Sequence, residues 1–385
     1  MDSETYDIFT EQLRRFVRAR LVPAEKTLVD RDQIPADILK EMASLGLFGL
    51  SVPEEYGGAG MSAYQCLHTI AELSWAAPAF RSIAGIGNGI FGAALVANGT
   101  QEQKRFWLPR IAQGTISSFA ITEPDSGSDS AALRTTARKE GDEYVLNGVK
   151  RYITNAPSAD VILVMAKTSP DPLPKNAHIS AFLVPAEAPG VVVGPPDKKM
   201  GQAGAQIADV ILEDVRLPVS ALLGEQEGAG FQVAMNSLNN GRLSVAAASL
   251  GYSRRALDSG IRYAMERKAF GESVSNFQLT QAKIADSQAD IYAMECMLAD
   301  ASRKVDQGRN IRKEAACVKM FASEACGRIV DRVVQIYGGA GYLQEYEAER
   351  FYRDSRIYRI YEGTTEIMQL VIAKAVLREY ERALN

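Results

Sequence analysis

The sequence predicts an α+β protein with an N-terminal helical domain, a middle β domain of the barrel or sandwich kind, and a C-terminal four-helix bundle. Three observations predict this order. Apolar residues recur at helical spacing up to about residue 115, alternate as in strands up to about residue 224, and return to long helical stripes after residue 230. We place the domains at residues 1–117, 118–226 and 227–385. With 46% hydrophobic residues among 385, the chain can form two or three packed units.

Helical stripes define the first domain. Apolar residues recur at helical spacing in residues 1–21, 35–45, 63–75 and 101–112. Residues 87–92 also satisfy the G-x-G-x-x-G pattern of dinucleotide-binding folds, but no strand precedes them and no acidic residue follows about twenty positions later. We therefore expect these glycines to allow close helix packing.

Short strands and then long helices define the other two domains. Strand-like runs flank Asn147 and Gly148, the residue pair that most strongly indicates a two-residue hairpin turn, so we expect a hairpin there. Further strands are predicted at residues 161–166, 179–184, 191–193 and 210–212. Helical stripes then predict an antiparallel bundle, at residues 231–249, 291–305, 318–336 and 365–382.

Composition excludes several classes of protein. The 43 Lys and Arg residues balance 47 Asp and Glu without a long run of one sign, so we expect no nucleic-acid partner and no membrane partner. No stretch approaches eighteen consecutive apolar residues, and the N-terminus lacks the apolar core of a signal peptide, so we expect a cytoplasmic protein. Four scattered cysteines and two distant histidines predict neither disulfides nor a metal site. Redox chemistry would therefore need a bound cofactor.

The run 361–367 (YEGTTEI) contains the candidate for a catalytic base. It places Glu362 between an aromatic ring and a glycine, just ahead of the last helix. Burial against an apolar substrate would raise the pKa of this carboxyl group and keep it basic enough to remove a carbon-bound proton. The alternative is a solvated charge favoured by the helix dipole, which would lower the pKa of Glu362.

Two segments of the middle domain could contact a polar or planar ligand. In residues 119–129 (FAITEPDSGSD) a strand ends in a turn whose amides, with the hydroxyls of Thr122 and Ser128, suit a ring edge or a phosphate. Tyr152 and Thr154 are two residues apart, hence on one face of the sheet. The alternatives are an ordinary turn and a plain cross-strand aromatic residue.

Arg242 is the third candidate. It shares a helical stripe with apolar residues, and a guanidinium that faces a core needs a carboxylate or a ligand oxygen to offset its desolvation. The alternative is a structural ion pair.

These residues resemble the acyl-CoA dehydrogenase family along the whole chain, in the family's order and spacing. Residues 119–129 are similar to its signature A-x-T-E-P-x-A-G-S-D, and residues 335–342 (QIYGGAGY) are similar to its second signature. The run 361–367 matches the segment that carries the family's catalytic base. Residues 267–271 (RKAFG), together with Gln278, match its flavin-contacting helix start.

The resemblance implies FAD as the cofactor, bound between the domains. It implies that the flavin ring is lined by Phe119, Ile121, Thr122, Ser128, Tyr152, Ile153 and Thr154. It implies that the FAD of a neighbouring subunit is held by Arg267, Phe270, Gln278, Gln335, Ile336, Gly338 and Gly339. Further implied contacts are Thr364, Thr365 and Glu366 with the cofactor, and Ser128, Asn239, Arg242, Tyr361 and Gly363 with the substrate.

The implied reaction converts an acyl thioester to its trans-2-enoyl thioester. Glu362 would remove the α-proton while a hydride passes from the β-carbon to the flavin. The amide of Glu362 and a ribityl hydroxyl of the flavin would polarise the thioester carbonyl in a water-poor site. The implied partners are an acyl-CoA or acyl-carrier-protein thioester, an electron-transferring flavoprotein, and further copies of the chain in a tetramer built as a dimer of dimers.

Three positions depart from the family pattern, and a fourth differs from a single relative. Ser126 replaces an alanine of the signature, and Tyr152 replaces the usual tryptophan over the flavin edge, which bears on the electron acceptor. Asn239 stands where the family often has aspartate, near the pantetheine arm. Gly241 matches the position from which one relative supplies its base, and a glycine cannot do so, which leaves Glu362.

The interpretation is thus a bacterial, cytoplasmic enzyme of fatty acid metabolism. Two alternatives stay open: an oxidase of the same fold that passes electrons to oxygen, and a catalytically silent acyl-CoA-binding subunit. The retained Glu362 argues against the silent subunit, because such a subunit has no need of a base.

Overall fold

The computed structural model describes residues 1–384 and begins with a helical unit. Two short π-helical segments, Val17–Leu21 and Ile86–Phe91, join helices into longer rods. The second segment contains the G-x-G-x-x-G run except for its last residue, Gly92, which begins the next helix, so the predicted helical setting of the run is confirmed. The helices are α1 Ser3–Phe16, α2 Val22–Arg31, α3 Ala36–Ser44, α4 Ala63–Leu73, α5 Pro78–Gly85, α6 Gly92–Asn98 and α7 Gln101–Ala112.

A single seven-stranded sheet follows. Its strand order is β1-β4-β2-β3-β7-β6, with β5 paired to β4; the β1–β4 pair is parallel and the β2–β3, β3–β7 and β4–β5 pairs are antiparallel. The strands are β1 Ser117–Ala120, β2 Thr136–Glu140, β3 Glu143–Thr154, β4 Val161–Lys167, β5 Ile179–Pro185, β6 Val191–Val193 and β7 Ile207–Pro218.

The hairpin expected at Asn147 and Gly148 is wrong, because β3 runs through both residues. The chain reverses earlier, near Gly141, whose φ of 63° suits a turn. The Asn147–Gly148 pair instead marks a register shift in the β3–β7 pairing. Asn147 exchanges hydrogen bonds with Asp214, and a Cβ on Gly148 would lie 2.4 Å from the Thr135 hydroxyl. Close packing in a bulge therefore accounts for the same two residues.

The C-terminal unit is a bundle of long helices, which confirms the predicted fold class. Its axis is α8, every residue of which is buried from 241 to 253. A two-stranded arm separates α8 from α9. The elements are α8 Gly230–Glu266, β8 Lys268–Ala269, β9 Glu272–Ser273, α9 Gln278–Asp306, α10 Arg312–Tyr337, α11 Glu347–Ser355 and α12 Thr365–Leu384.

Buried ion pairs tie the helical units together. Glu25 of α2 is only 3% exposed. Its carboxylate accepts a hydrogen bond from the Ala77 amide (2.8 Å) and pairs with Arg255 of α8 (2.9 Å) and Arg350 of α11 (2.6 Å). Because a buried charge is costly unless paired, this cluster fixes α2 against α8 and α11. The segment that leads from α11 to α12 is thereby held in place.

One helical stretch, Pro78–Asn98, has the length and hydropathy of a membrane span. Within its most apolar window, 72% is buried inside the protein. A core helix of a soluble protein has the same properties, so this stretch is weak evidence for a membrane span.

Candidate active site

Glu362 lies in the turn between α11 and α12, against the backbone of α8. Both Glu362 (φ 54°) and Gly363 (φ 101°) adopt left-handed backbone conformations, which turn the chain sharply towards α8. The Glu362 side chain is 14% exposed. A Cβ added to Gly241 would lie 1.9 Å from Oε2 of Glu362. Only glycine at position 241 leaves room for this carboxylate.

Three cations from three helices surround the carboxylate, yet none donates a hydrogen bond to it. Arg81 Nη2 of α5 lies 3.9 Å from Oε1, while Arg81 donates hydrogen bonds to the Ser244 hydroxyl. Arg242 Nε donates to the Glu362 carbonyl (3.4 Å), and Lys319 Nζ donates to the Gly363 carbonyl (2.6 Å). Oε2 of Glu362 is buried and has no hydrogen-bond partner among residues 1–384. It is free to accept a proton from a ligand.

Burial and charge act on this carboxyl group in opposite directions. Burial raises the pKa of Glu362, and the nearby charges of Arg81, Lys319 and Arg242 lower it by less. Burial also lowers the pKa of Lys319, to about 8, and lowers the pKa of Arg242. Burial thus moves the pKa of Glu362 in the direction expected from the sequence, and a side chain that is 14% exposed is not a solvated charge.

Of the substrate-side residues predicted from the sequence, Tyr361 and Gly363 flank Glu362, Arg242 contacts it and Asn239 contacts Arg242. No hydrogen bond or ion pair within residues 1–384 joins Ser128 to this group. Arg242 Nη1 donates to Asn239 Oδ1 (2.8 Å), which fixes the two side chains one turn apart on α8. Arg242 forms no ion pair within the described chain, so the alternative of a structural ion pair is not observed. Tyr361 is packed against the helical core, and burial raises the pKa of its hydroxyl to about 12. The backbone amide of Glu362 has no hydrogen-bond partner in the part of the chain that the structure describes.

Arg81 and Lys319 were not identified from the sequence. Each is a single charged residue within an otherwise apolar helical segment, and both are buried, at 7% and 0% exposure. That isolation was the available signal. The sequence does not show which group each charge faces, because the partners are distant along the chain. Glu362 is 281 residues from Arg81, and Glu362 and Gly363 are 43 and 44 residues from Lys319.

At the end of β1, a buried ion pair fixes the loop that follows. Glu123 accepts hydrogen bonds from Lys150 Nζ (2.7 Å) and from the Thr135 amide (3.0 Å). The Arg151 amide donates to the Thr122 carbonyl (2.9 Å), which joins this loop to β3. The other predicted contacts of the segment differ in exposure: Phe119 and Thr122 are half-buried, Ile121 is buried and Ser128 is exposed.

The outer face of β3 presents a flat aromatic surface. Tyr152 is 54% exposed, with φ at 60°, and lies where the register of the β3–β7 pairing shifts between Lys150 and Ile153, while Thr154 is half-buried. Between them, the Ile153 side chain points into the core of the β domain. The Ile153 side chain is therefore not available to a cofactor. If Ile153 contacts the flavin ring, it does so through its main-chain atoms.

Most of the residues predicted to serve a neighbouring subunit lie on the surface of the C-terminal unit. Phe270 is 98% exposed at the tip of the β8–β9 arm. Added Cβ atoms on Gly338 and Gly339 would meet nothing within 4 Å. No hydrogen bond or ion pair within the described residues joins this group to Thr122 or Tyr152. Arg267, Gln278 and Gln335 are exposed as well, and Ile336 is buried.

The start of α12 carries the last predicted cofactor contacts. Thr364 Oγ1 accepts a hydrogen bond from the Ile367 amide (3.2 Å), which caps the helix. Thr365 Oγ1 donates to Glu324 (2.7 Å). Glu366 is exposed, and hydrogen bonds lower its pKa. Glu362 and Glu366 therefore lie in opposite environments although only four residues separate them.

Family models match the chain in three consecutive parts. The N-terminal, middle and C-terminal domains of acyl-CoA dehydrogenase match residues 3–115, 118–215 and 228–377. The chain belongs to the acyl-CoA dehydrogenase family. It is therefore an FAD-dependent oxidoreductase that dehydrogenates acyl-CoA thioesters.

Individual members of the family are similar over nearly the full length. The mitochondrial short-chain specific acyl-CoA dehydrogenase of Homo sapiens is 40% identical, covering 98% of this chain and 91% of its own length. Subunit CarC of the caffeyl-CoA reductase–Etf complex of Acetobacterium woodii is 39% identical, covering 96% of this chain and all of the subunit.

Solved structures of acyl-CoA dehydrogenases have the same fold. Butyryl-CoA dehydrogenase from Megasphaera elsdenii superposes with a TM-score of 0.93 at 32% identity, over 98% of this chain and 100% of that one. A glutaryl-CoA dehydrogenase in complex with glutaryl-CoA superposes with a TM-score of 0.92 at 31% identity, over 98% of this chain and 97% of that one. The Bacillus anthracis acyl-CoA dehydrogenase complexed with FAD superposes with a TM-score of 0.91 at 34% identity, over 100% of this chain and 70% of that one.

The residues of this acyl-CoA dehydrogenase fit FAD. The exposed Tyr152 ring offers a surface for a planar ring system, and the loop after β1 is held rigid beside it by Glu123 and Lys150. The open backbone at Gly338 and Gly339 allows close approach of a phosphate or ribose, since no side chain fills the space.

Proposed function

We propose that Glu362 is the general base that removes the α-proton of the acyl thioester. The single observation that carries this proposal is the position of its carboxylate: Oε2 is buried, lacks a hydrogen-bond partner in residues 1–384, and faces α8 at Gly241. Burial raises its pKa, which makes it a stronger base than an exposed glutamate. The exposed Glu366 offers none of these properties.

The unpartnered amide of Glu362 completes the proposed site. In this proposal it donates to the thioester carbonyl and stabilises the negative charge that develops as the α-proton leaves. FAD, when bound, supplies the acceptor for the β-hydride. Arg242 and Asn239 orient the thioester beside Glu362, and Gly363 keeps the turn sharp enough for the carboxylate to reach α8.

We assign the FAD contacts in two sets. The first set lies on one subunit, at Phe119–Ser128, at Tyr152–Thr154 and at the start of α12. The second lies on its neighbour, at Arg267, Phe270, Gln278 and residues 335–339. Most residues of the second set are exposed, and no hydrogen bond or ion pair within residues 1–384 joins them to Thr122 or Tyr152, which supports this assignment. It also supports a homo-oligomer, which we propose to be a tetramer, with domain limits at residues 117 and 226.

We propose a cytoplasmic bacterial enzyme of fatty acid metabolism with an electron-transferring flavoprotein as its acceptor. The similarity to CarC, a subunit of an Etf complex, supports that acceptor. Tyr152 stands where the family usually has tryptophan, and a smaller ring gives oxygen easier access, so an oxidase is the competing candidate. Rapid peroxide formation without stimulation by the flavoprotein would decide for the oxidase.

A specific class of acyl group is favoured by the charges at the site. Arg81, Arg242 and Lys319 place three cations around one carboxylate, and the hydrogen bonds of Arg81 go to a neutral hydroxyl. A second anionic group on the substrate would offset this excess of positive charge. The similar glutaryl-CoA dehydrogenase was solved with glutaryl-CoA, whose acyl group ends in a carboxylate. We therefore propose glutaryl-CoA as a candidate substrate beside butyryl-CoA.

The test is anaerobic bleaching of the bound flavin by a panel of thioesters. The panel contains butyryl-CoA, glutaryl-CoA, longer acyl-CoAs and the matching carrier-protein thioesters. Bleaching by at least one of them, abolished by Glu362→Gln, supports the proposal. If glutaryl-CoA is preferred, Arg81→Met should reduce its rate more than that of butyryl-CoA. Equal losses for both thioesters would rule out a role of Arg81 in acyl selection.

A further inference from the structure

Lys319 is a buried cation that the proposed reaction does not use. It lies on α10, is 0% exposed, and its ammonium donates a single hydrogen bond, to the Gly363 carbonyl (2.6 Å). No carboxylate lies within ion-pair distance of it in the described chain. An uncompensated buried charge is costly, and such a residue persists where the charge or its geometry serves the site.

The acceptor of this hydrogen bond lies at a backbone turn that needs support. Glu362 has φ at 54°, a conformation that non-glycine residues rarely adopt, and only surrounding contacts can maintain it. The Glu362 carbonyl receives a long hydrogen bond from Arg242 (3.4 Å), whereas the adjacent Gly363 carbonyl receives the short one from Lys319. The Lys319 bond is thus the closest polar contact that holds this turn.

We propose that Lys319 is a positioning residue for the base: its ammonium fixes the Glu362–Gly363 turn and places a positive charge beside the carboxylate. This inference rests on the proposed role of Glu362. The charge stabilises the carboxylate without donating a proton to it, so Oε2 stays free for the α-proton. A direct hydrogen bond would block that oxygen.

The charges that act on Lys319 lie in the turn itself and on three helices. Glu362 in the turn, Glu324 on α10 and Glu366 on α12 favour the ammonium form, and Arg242 on α8 opposes it. Arg81 on α5 acts on Glu362 from the other side. Because burial lowers the pKa of Lys319 to about 8, the ammonium loses its proton as the pH rises through about 8.

The experiment compares Lys319→Met, Lys319→Arg and Lys313→Met. Lys313 is the matched control, on the same helix but in an ion pair with Glu379 (2.7 Å) near the surface. The first readout needs no substrate: hydrogen–deuterium exchange of the peptide that contains residues 361–364. We expect faster exchange there in Lys319→Met and wild-type exchange in Lys313→Met. Wild-type exchange in Lys319→Met would overturn the positioning role.

The second readout is the pH profile of anaerobic flavin reduction by the most active thioester of the panel, butyryl-CoA first. Loss of the cation raises the pKa of Glu362, so the acid limb of Lys319→Met should move to higher pH. Its maximal rate should fall about 10- to 100-fold, as a misplaced base does. Lys319→Arg should keep the acid limb and lose any decline above about pH 8. A rate that falls equally at all pH values would overturn the electrostatic role.

Failure of this proposal and failure of the assigned base give different results. If Glu362→Gln reduces its flavin at the wild-type rate, the base is wrong, whatever Lys319 does. If Glu362→Gln is inactive while Lys319→Met matches wild type in exchange and in pH profile, only the Lys319 proposal fails. Should Lys319→Met not fold, Lys319→Arg still tests the proposal through its limb above pH 8.

Discussion

Replacing Gly241 with alanine should damage catalysis while leaving the fold at least as stable. The new Cβ would lie 1.9 Å from Oε2 and 2.8 Å from Cδ of Glu362. Contacts of a Cβ below 3.0 Å essentially do not occur, so the carboxylate must withdraw by about 1.1 Å. A displacement of about 1 Å from the productive geometry can cost about 100-fold in rate, or about 2.7 kcal/mol of transition-state stabilisation. In a helix, alanine is favoured over glycine by about 1 kcal/mol.

The assay is stopped-flow flavin reduction under anaerobic conditions, with thermal unfolding measured on the same sample. Gly260→Ala on the same helix is the control, because the three atoms nearest its Cβ all belong to Val333, the closest at 3.2 Å. We expect a rate loss of about 100-fold for Gly241→Ala and a wild-type rate for Gly260→Ala. A folded Gly241→Ala variant that reduces its flavin at the wild-type rate would refute the steric argument.

Four further results are expected. The rate of flavin reduction should rise with pH through the raised pKa of Glu362, since only the carboxylate accepts the proton; a flat profile from pH 4 to 8 would contradict this. Lys150→Met should lower the free energy of unfolding by about 3–5 kcal/mol, because Glu123 stays buried without its cation; denaturant titration measures it. Arg267→Ala should weaken FAD retention on gel filtration without changing the unfolding midpoint of the FAD-free protein, since Arg267 is exposed. Tyr152→Trp should slow peroxide formation by the reduced enzyme, measured after mixing with oxygen.

The order of helical unit, sheet and bundle followed from periodicity, because each long helix or strand repeats its apolar residues. Local signals were less reliable. Asn147 and Gly148 have the composition of a hairpin turn, but tertiary packing against Thr135 and Asp214 makes them a bulge within β3. The sequence alone does not distinguish a glycine that is needed for close packing from a glycine that is needed for a turn.

The site was predicted in part. Glu362 and Arg242 could be predicted from local sequence patterns. Glu362 is a carboxylate between an aromatic ring and a glycine, and Arg242 is a charge on an apolar helical stripe. From two other helices, Arg81 lies 3.9 Å from the Glu362 carboxylate and Lys319 donates to the adjacent Gly363 carbonyl. The proximity of these cations to Glu362 depends on how α5, α8 and α10 pack against one another. The sequence of any one segment does not show this packing. The steric role of Gly241 likewise appears only once Glu362 is placed against it.

The most direct measurement of the central claim is anaerobic flavin reduction by the same thioester in wild type, Glu362→Gln and Glu366→Gln. Glutamine keeps the shape and hydrogen-bonding capacity of Glu362 but cannot accept the α-proton at neutral pH. We expect Glu362→Gln to bind FAD and thioester and to lose about two to four orders of magnitude in rate. Glu366→Gln should keep proton removal and bind FAD less tightly. Reduction of the Glu362→Gln flavin at the wild-type rate would show that another group is the base.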